Sequence, residues 1–116
     1  MTPGQCKRKG SAGERELCRI LTDAGFPAER NDQRLVGGLA NPDISAEGLQ
    51  SFHIECKRCE RLNIHSAMNQ AIRDADGEKT PVVMHRRNGE PWLATLTLKA
   101  LLAIVRNHKV VVEVKR

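Results

Sequence analysis

A chain of 116 residues is long enough for one domain with a single modest core. It carries 19 Lys and Arg against 14 Asp and Glu, and the resulting net charge of +5 favours a polyanionic partner such as nucleic acid. With two Phe, one Trp and no Tyr, the chain has too few aromatic side chains for a surface that stacks single-stranded bases. Contact with the backbone of a DNA duplex fits this composition better.

The apolar stretches and the cysteines indicate the cellular compartment of the protein. The longest apolar stretch is far short of the roughly 20 residues of a membrane helix, so a soluble protein is expected. Four cysteines in a chain without an apolar leader indicate a reducing cytoplasm. Cys56 and Cys59 form a C-x-x-C pattern, but no second pair or paired histidine motif completes a zinc site.

The chain opens with a basic segment and a helix. Residues 1–10 are rich in Lys and Arg and predict a flexible lead that could touch phosphate, ahead of a single domain over residues 11–116. Ser11 and Glu14 form a capping-box pattern, after which apolar residues recur at helical spacing as far as Ala24. A first helix is therefore predicted from Ser11 to Ala24.

Two short strands are predicted to fold about a small-residue turn. Ile44 to Glu47 and Ser51 to Lys57 form an antiparallel pair if the turn centres on Leu49. This register sets Asp43 opposite Glu55, where side chains are roughly 5 Å apart and like charges are destabilising. A divalent cation between the carboxylates would offset that repulsion.

Alternation along the two strands predicts an apolar face and a polar face. The apolar face, expected in the core, consists of Ile44, Ala46, Phe52, Ile54 and Cys56. The polar face consists of Asp43, Ser45, His53, Glu55 and Lys57. The alternative to a metal site is a solvated polar face, with Lys57 paired to Asp43 and His53 a surface neighbour rather than a ligand.

A second helix and a second hairpin follow. Small and apolar residues recur at helical spacing from Ile64 to Asp76, and Gly77 ends this helix. Pro81 to Arg87 is a predicted strand, and Asn88-Gly89 is a strong hairpin signal that leads into Pro91 to Leu96.

The chain is predicted to end in a third helix and a short last segment. Thr97 can cap a helix whose apolar face consists of Leu98, Leu101, Leu102 and Val105. Val110 to Val114 could be a last strand or an ordered tail. This order of elements predicts an α/β domain, with a central mixed β-sheet flanked by helices.

The polar face of the first hairpin has the groups that phosphodiester hydrolysis needs. Mg²⁺ takes oxygen ligands and usually one or two carboxylates, which Asp43 and Glu55 supply. The backbone carbonyl of Cys56 could be a further ligand. Lys57 lies on the same face as Glu55, where its ammonium could orient the attacking water or hold the scissile phosphate.

Glu14 on the first helix, Pro42-Asp43 and Glu55-Cys56-Lys57 together resemble the PD-(D/E)xK nuclease superfamily. The short length and helix-first order are similar to archaeal-type Holliday junction resolvases and small phage or bacterial relatives. The resemblance implies a restriction-endonuclease-like fold and a metal-dependent endodeoxyribonuclease that acts on branched DNA as a homodimer. It also implies Mg²⁺ as cofactor, with Mn²⁺ able to substitute, in a bacterial or phage-infected cell.

The same resemblance assigns a role to individual residues. Asp43 and Glu55 correspond to the metal-binding carboxylates, Lys57 to the catalytic lysine, and Glu14 to a helical acid that reaches the same metal. Gln70 corresponds to a polar helper on the second helix. Glu14 could instead be only the capping-box residue, and Gln70 only a solvated side chain.

Basic side chains are expected to contact DNA phosphates. The candidates are Lys7, Arg8, Lys9, Arg15, Arg58, His85, Arg86 and Arg87. Two other functions stay open. One is a non-catalytic DNA-binding subunit with the same fold, and the other is a small zinc or redox protein that uses Cys56 and Cys59.

Overall fold

A five-stranded mixed sheet forms the centre of the molecule. The computed structural model describes the backbone of residues 3–31 and 42–108, with side chains from residue 10 onward. The strands are β1 (Ala28–Arg30), β2 (Ile44–Ala46), β3 (Phe52–Arg58), β4 (Thr80–Arg86) and β5 (Leu93–Thr95). They lie in chain order across the sheet, and neighbours are antiparallel except for the parallel pair β3 and β4.

The described part of the chain contains helices α1 (Pro3–Asp23), α2 (Ile64–Ala75) and α3 (Leu98–Asn107). Leu17 of α1 is buried against Ile54 and Val82, whereas Ala71 of α2 is buried against Val83. Because successive strand residues point to opposite faces, α1 and α2 cover opposite faces of the sheet. The predicted mixed sheet flanked by helices is confirmed.

Helix α1 is longer than the sequence pattern predicted. It begins at Pro3 rather than at Ser11, so the backbone of residues 3–10 is helical. Proline suits the first turn of a helix, where its missing N–H would have no partner. Ser11 lies inside the helix, so the predicted capping box does not form. The side chains of Lys7 to Lys9, predicted to contact DNA, lie outside the described residues.

Helix α1 approaches β3 closely at Gly13. A Cβ atom at this position would lie 2.5 Å from Cβ of Arg58, closer than two such atoms can pack. Glycine therefore allows the helix to lie directly on the strand. One turn later Leu17 is only 3% exposed and packs against Ile44 and Cys56.

The hairpin of β2 and β3 has the predicted register. Ile44 pairs with Ile54, as a turn centred on Leu49 requires. Gly48 in this turn has a φ of +87°, a left-handed conformation that glycine adopts without a Cβ penalty. The register prediction is therefore confirmed as far as Ile44, where strand pairing ends.

The polar face of this hairpin is covered along β3 and exposed at Ser45 of β2, so the alternative of a fully solvated face is wrong. His53 is 2% exposed and Glu55 is 3% exposed. Helix α2 packs on this side of the sheet, with Ala67 and Ala71 buried against Val83. Small side chains on α2 let its backbone come close to the sheet. Both faces of β3 are therefore inside the molecule.

The hairpin of β4 and β5 and the cap of α3 form as predicted. Val83 pairs with Thr95 across this second hairpin, and Gly89 in its turn has a φ of +75°. The hydroxyl of Thr97 accepts a hydrogen bond from the N–H of Ala100 at 3.1 Å. None of the helices in the described part of the chain is both long and apolar enough to cross a membrane.

The apolar face of α3 is not part of the core. No residue of α3 is buried, and Leu98 and Val105 are 69% and 63% exposed. The predicted apolar face is therefore present but uncovered, because α3 makes few contacts with the other described elements. The predicted last segment, Val110 to Val114, lies outside the described residues.

Candidate active site

Asp43 lies immediately before β2 and is fixed by backbone and side-chain hydrogen bonds. Its N–H donates to the carbonyl of Ile54 at 2.9 Å, and its Oδ2 accepts from the N–H of Cys56 at 2.8 Å. Asn31 supports the preceding turn, because its Nδ2 donates to the carbonyl of Pro42 at 2.7 Å. Asp43 is only 9% exposed, so its carboxylate is held at the edge of β3. Asn41 lies outside the described residues.

Glu55 is a buried carboxyl group close to Asp43. Burial is the main reason that its pKa rises from 4.5 to about 9, and the charge of Asp43 and a hydrogen bond with it raise the pKa further. The ammonium of Lys57 acts to lower the pKa of Glu55. The predicted pair of neighbouring carboxyl groups is therefore present.

Lys57 and Gln70 meet beside this pair. The Nζ of Lys57, on β3, donates to Oε1 of Gln70, on α2, at 3.3 Å. Both side chains are half-buried. Gln70 therefore has a partner at the site and is not merely a solvated glutamine.

Glu14 reaches the same region from α1. Its Oε1 accepts from Nε of Arg30 at 2.9 Å, and the same guanidinium donates through Nη2 to the hydroxyl of Ser11 at 3.4 Å. Burial raises the pKa of Glu14, Arg30 opposes that rise, and the charge of Asp43 adds to it. The alternative of a helix cap is wrong, because Glu14 lies inside α1 and bonds Arg30.

His53 and Asp74 extend the site beyond the residues that were predicted to act in it. Nε2 of His53 lies 2.9 Å from Oε1 of Glu55, and both side chains are almost fully buried. Asp74 of α2 joins them, and one potential ligand atom from each of the three residues lies within 4.8 Å of the others. Asp74 follows Gln70 by four residues, so helical spacing alone places both on one face of α2.

Cys56 and Cys59 do not form a zinc or redox pair with each other. Cys56 is a free, buried thiol, and burial raises its pKa above the usual range of a cysteine. Cys59 is disulfide-bonded, so its sulfur is not available as a metal ligand. The zinc or redox hypothesis built on these two cysteines is therefore not supported.

Several basic residues predicted to contact DNA are engaged within the protein. Nη1 of Arg86 donates to Oε2 of Glu16 at 2.6 Å, and Nη2 of Arg58 donates to Oδ1 of Asn88 at 2.7 Å. Nε2 of His85 lies 2.7 Å from the hydroxyl of Thr95, and burial lowers the pKa of His85.

Two of the predicted DNA-contacting residues are open to solvent. Arg15 lies on α1 and Arg87 follows β4, and both are exposed. Because these guanidinium groups face water, they remain available to a phosphate backbone.

Comparison with known proteins finds similarity among solved structures. No family model and no curated protein matches the chain. The structure is similar to that of Hjc from Archaeoglobus fulgidus, a Holliday junction resolvase from an archaeal hyperthermophile. The two have a TM-score of 0.59 and 26% sequence identity, over 75% of this chain and 76% of that chain.

This match agrees with the architecture of a mixed five-stranded sheet with helices on its faces. The α/β fold is of the restriction-endonuclease-like type. The resemblance of the chain to the PD-(D/E)xK nuclease superfamily, and within it to archaeal-type Holliday junction resolvases, is confirmed.

Proposed function

We propose that this protein is a Mg²⁺-dependent endodeoxyribonuclease that hydrolyses phosphodiester bonds in branched DNA such as Holliday junctions. The observation that carries the proposal is the buried pair of Asp43 and Glu55 with Lys57 beside it. The similarity to a solved Holliday junction resolvase supports the choice of substrate.

The donor set fits a hard divalent cation. Asp43 and Glu55 supply the one or two carboxylates that Mg²⁺ usually takes. The N–H of Cys56 points to Asp43, and in a strand the carbonyl of the same residue points to the same side, so it is a candidate third ligand. Glu14 is a candidate fourth ligand, from α1. The charge of Asp43 contributes to the raised pKa of Glu55, and a bound cation would offset this repulsion between the two carboxyl groups.

When bound, Mg²⁺ would neutralise charge on the phosphate and make a water molecule easier to deprotonate. The protein's own part is to hold the reacting groups in place. Asp43 is fixed by the N–H of Cys56, and Lys57 is directed by Gln70. From there the ammonium of Lys57 can contact the scissile phosphate or orient the attacking water.

DNA would bind through exposed basic side chains near the site. Arg15 and Arg87 are the described candidates, and Lys7 to Lys9 remain candidates by sequence. We leave Arg58, His85 and Arg86 out of this surface because each has a partner within the protein. A homodimer would place two sites for cuts on opposite strands of a junction.

The test compares cleavage of a four-way junction, a flap, a linear duplex and a single strand at fixed salt, in Mg²⁺ or EDTA. We expect Mg²⁺-dependent cleavage of the junction. Asp43→Asn and Glu55→Gln should each reduce it by more than about 100-fold while DNA binding survives, because phosphate contacts provide most of the affinity. Full cleavage by either variant would contradict the proposal. Binding without cleavage of any substrate would favour a non-catalytic DNA-binding subunit.

A further inference from the structure

We propose that His53 is a positioning residue for Glu55, and that its imidazole holds one carboxylate oxygen so that the other is presented to the metal. The inference rests on the proposed function, because it assigns Glu55 a metal. It starts from a contact between two nearly inaccessible side chains, with Nε2 of His53 at 2.9 Å from Oε1 of Glu55.

The direction of this hydrogen bond follows from the chemistry of the acceptor. An ionised carboxylate has only acceptor oxygens, so when Glu55 binds a cation the hydrogen must be on Nε2 of His53. The second oxygen of Glu55 is then the one left for the metal. His53 acts through Glu55 and needs no contact with the DNA.

The two carboxylates of the site are held in the same way. Oδ2 of Asp43 accepts the N–H of Cys56 at 2.8 Å, and Oε1 of Glu55 is held by His53 at 2.9 Å. A glutamate has three rotatable side-chain bonds, so an unsupported Glu55 would lose more freedom on binding a metal. Hydrogen bonds to metal-ligating carboxylates typically change metal affinity or activity by about 10–100-fold.

The place of His53 in the fold suits this role. It lies two residues before Glu55 on β3, so both side chains project from the same face. Helix α2 covers them, and Asp74 brings a carboxylate within 4.8 Å. The imidazole is thus confined between the strand and the helix and has little freedom to turn away from Glu55.

The experiment measures Mg²⁺ binding to the whole protein by titration calorimetry, without DNA. His53→Gln keeps an N–H donor near the position of Nε2, whereas His53→Leu keeps similar bulk without a donor. We expect His53→Leu to weaken Mg²⁺ binding by about 10–100-fold and His53→Gln to restore it to within a few-fold of the natural protein. Equal binding by all three proteins, or equal loss in both variants while both remain folded, would overturn the inference.

A second measurement needs no substitution and remains valid if His53→Leu does not fold. The ¹⁵N NMR signals of the His53 ring show which nitrogen carries the hydrogen, with and without Mg²⁺. A hydrogen that stays on Nε2 after Mg²⁺ is added supports positioning. Loss of that hydrogen, together with loss of Mg²⁺ binding in Asp74→Asn, would make His53 a direct ligand and overturn the proposal.

These readouts separate the inference from the proposed function. If Mg²⁺ binding follows the His53 variants but no DNA is cleaved, positioning of Glu55 stands and the nuclease assignment fails. If the junction is cleaved and His53→Leu matches the natural protein in both cleavage and Mg²⁺ affinity, the nuclease assignment stands and the inference fails.

Discussion

Burial and the neighbouring Asp43 raise the pKa of Glu55 to about 9, so the metal-free protein holds a proton there at neutral pH. In the unfolded chain this carboxyl ionises near its ordinary value of 4.5. A pKa that is higher in the folded state means that folding takes up a proton between these two values. The contribution of Glu55 to stability is therefore complete below pH 4.5 and declines as the pH rises towards about 9.

We predict that Glu55→Gln stabilises the metal-free protein, and does so more at pH 9 than at pH 5. The amide has a similar shape and cannot ionise, so the cost of burying a charge disappears. Thermal unfolding followed by circular dichroism in EDTA measures the difference, and a gain of several degrees in Tm at pH 9 is expected. Glu47→Gln, at an exposed position, is the control and should change little. The prediction fails if the stability of Glu55→Gln has the same pH dependence as the stability of the natural protein.

The partners of the site residues were harder to predict than the residues themselves. Asp43 and Glu55 belong to one hairpin, and a short turn fixes their relation in sequence. The bond from His53 to Glu55 was missed because the pattern left open whether the polar face was solvated or covered. Asp74 comes from α2, and the pattern of a strand does not reveal which helix covers that strand.

At the scale of the elements, the contact between α1 and β3 depends on a residue without a side chain. Gly13 lies inside a helix, where alanine is ordinarily better by about 1 kcal/mol. Here a Cβ would meet the Cβ of Arg58 at 2.5 Å, and that atom is fixed to the β3 backbone. The steric cost should therefore exceed the gain in helix propensity.

We predict that Gly13→Ala lowers the free energy of unfolding by roughly 1–3 kcal/mol, as overpacked sites do. Gly10→Ala is the matched control, because it lies in the same helix with nothing within 4 Å of the added Cβ. The control should gain roughly 0.5–1 kcal/mol from helix propensity. Urea unfolding of the three proteins gives both values, and a stabilised Gly13→Ala would contradict the close approach.

Local patterns predicted the elements better than they predicted contacts between elements. The cap of α3 and the turn at Gly89 follow from short sequence signals and were found at the expected places. The apolar stripe of α3 was also identified, but Leu98 and Val105 remain exposed. Spacing shows that a helix has an apolar face, and it does not show whether another part of the chain covers that face.

At the scale of the whole molecule, the net charge of +5 should make DNA binding depend strongly on salt. The arginines are expected to contribute unequally to this salt dependence. Arg87 is exposed, whereas the side chain of Arg58 is 13% exposed and bonded to Asn88. A guanidinium group that is bonded within the protein is not free to neutralise a DNA phosphate. Such a group therefore releases few counterions from DNA.

We predict that Arg87→Gln reduces the slope of log affinity against log salt concentration by about 1, and that Arg58→Gln leaves it unchanged. Fluorescence anisotropy of a labelled four-way junction across a range of KCl concentrations, in EDTA, measures the slope. Thermal unfolding shows whether Arg58→Gln remains folded. A smaller slope in Arg58→Gln alone would reverse the assignment of the two arginines.

The single tryptophan links two segments of the chain that are far apart in sequence. Nε1 of Trp92 donates to Oε2 of Glu16 at 2.7 Å, and the two residues are 76 positions apart. With no tyrosine in the chain, ultraviolet emission comes almost wholly from this one indole. Its emission is therefore an intrinsic reporter of when the second hairpin docks on α1, a contact that closes a long loop of the chain.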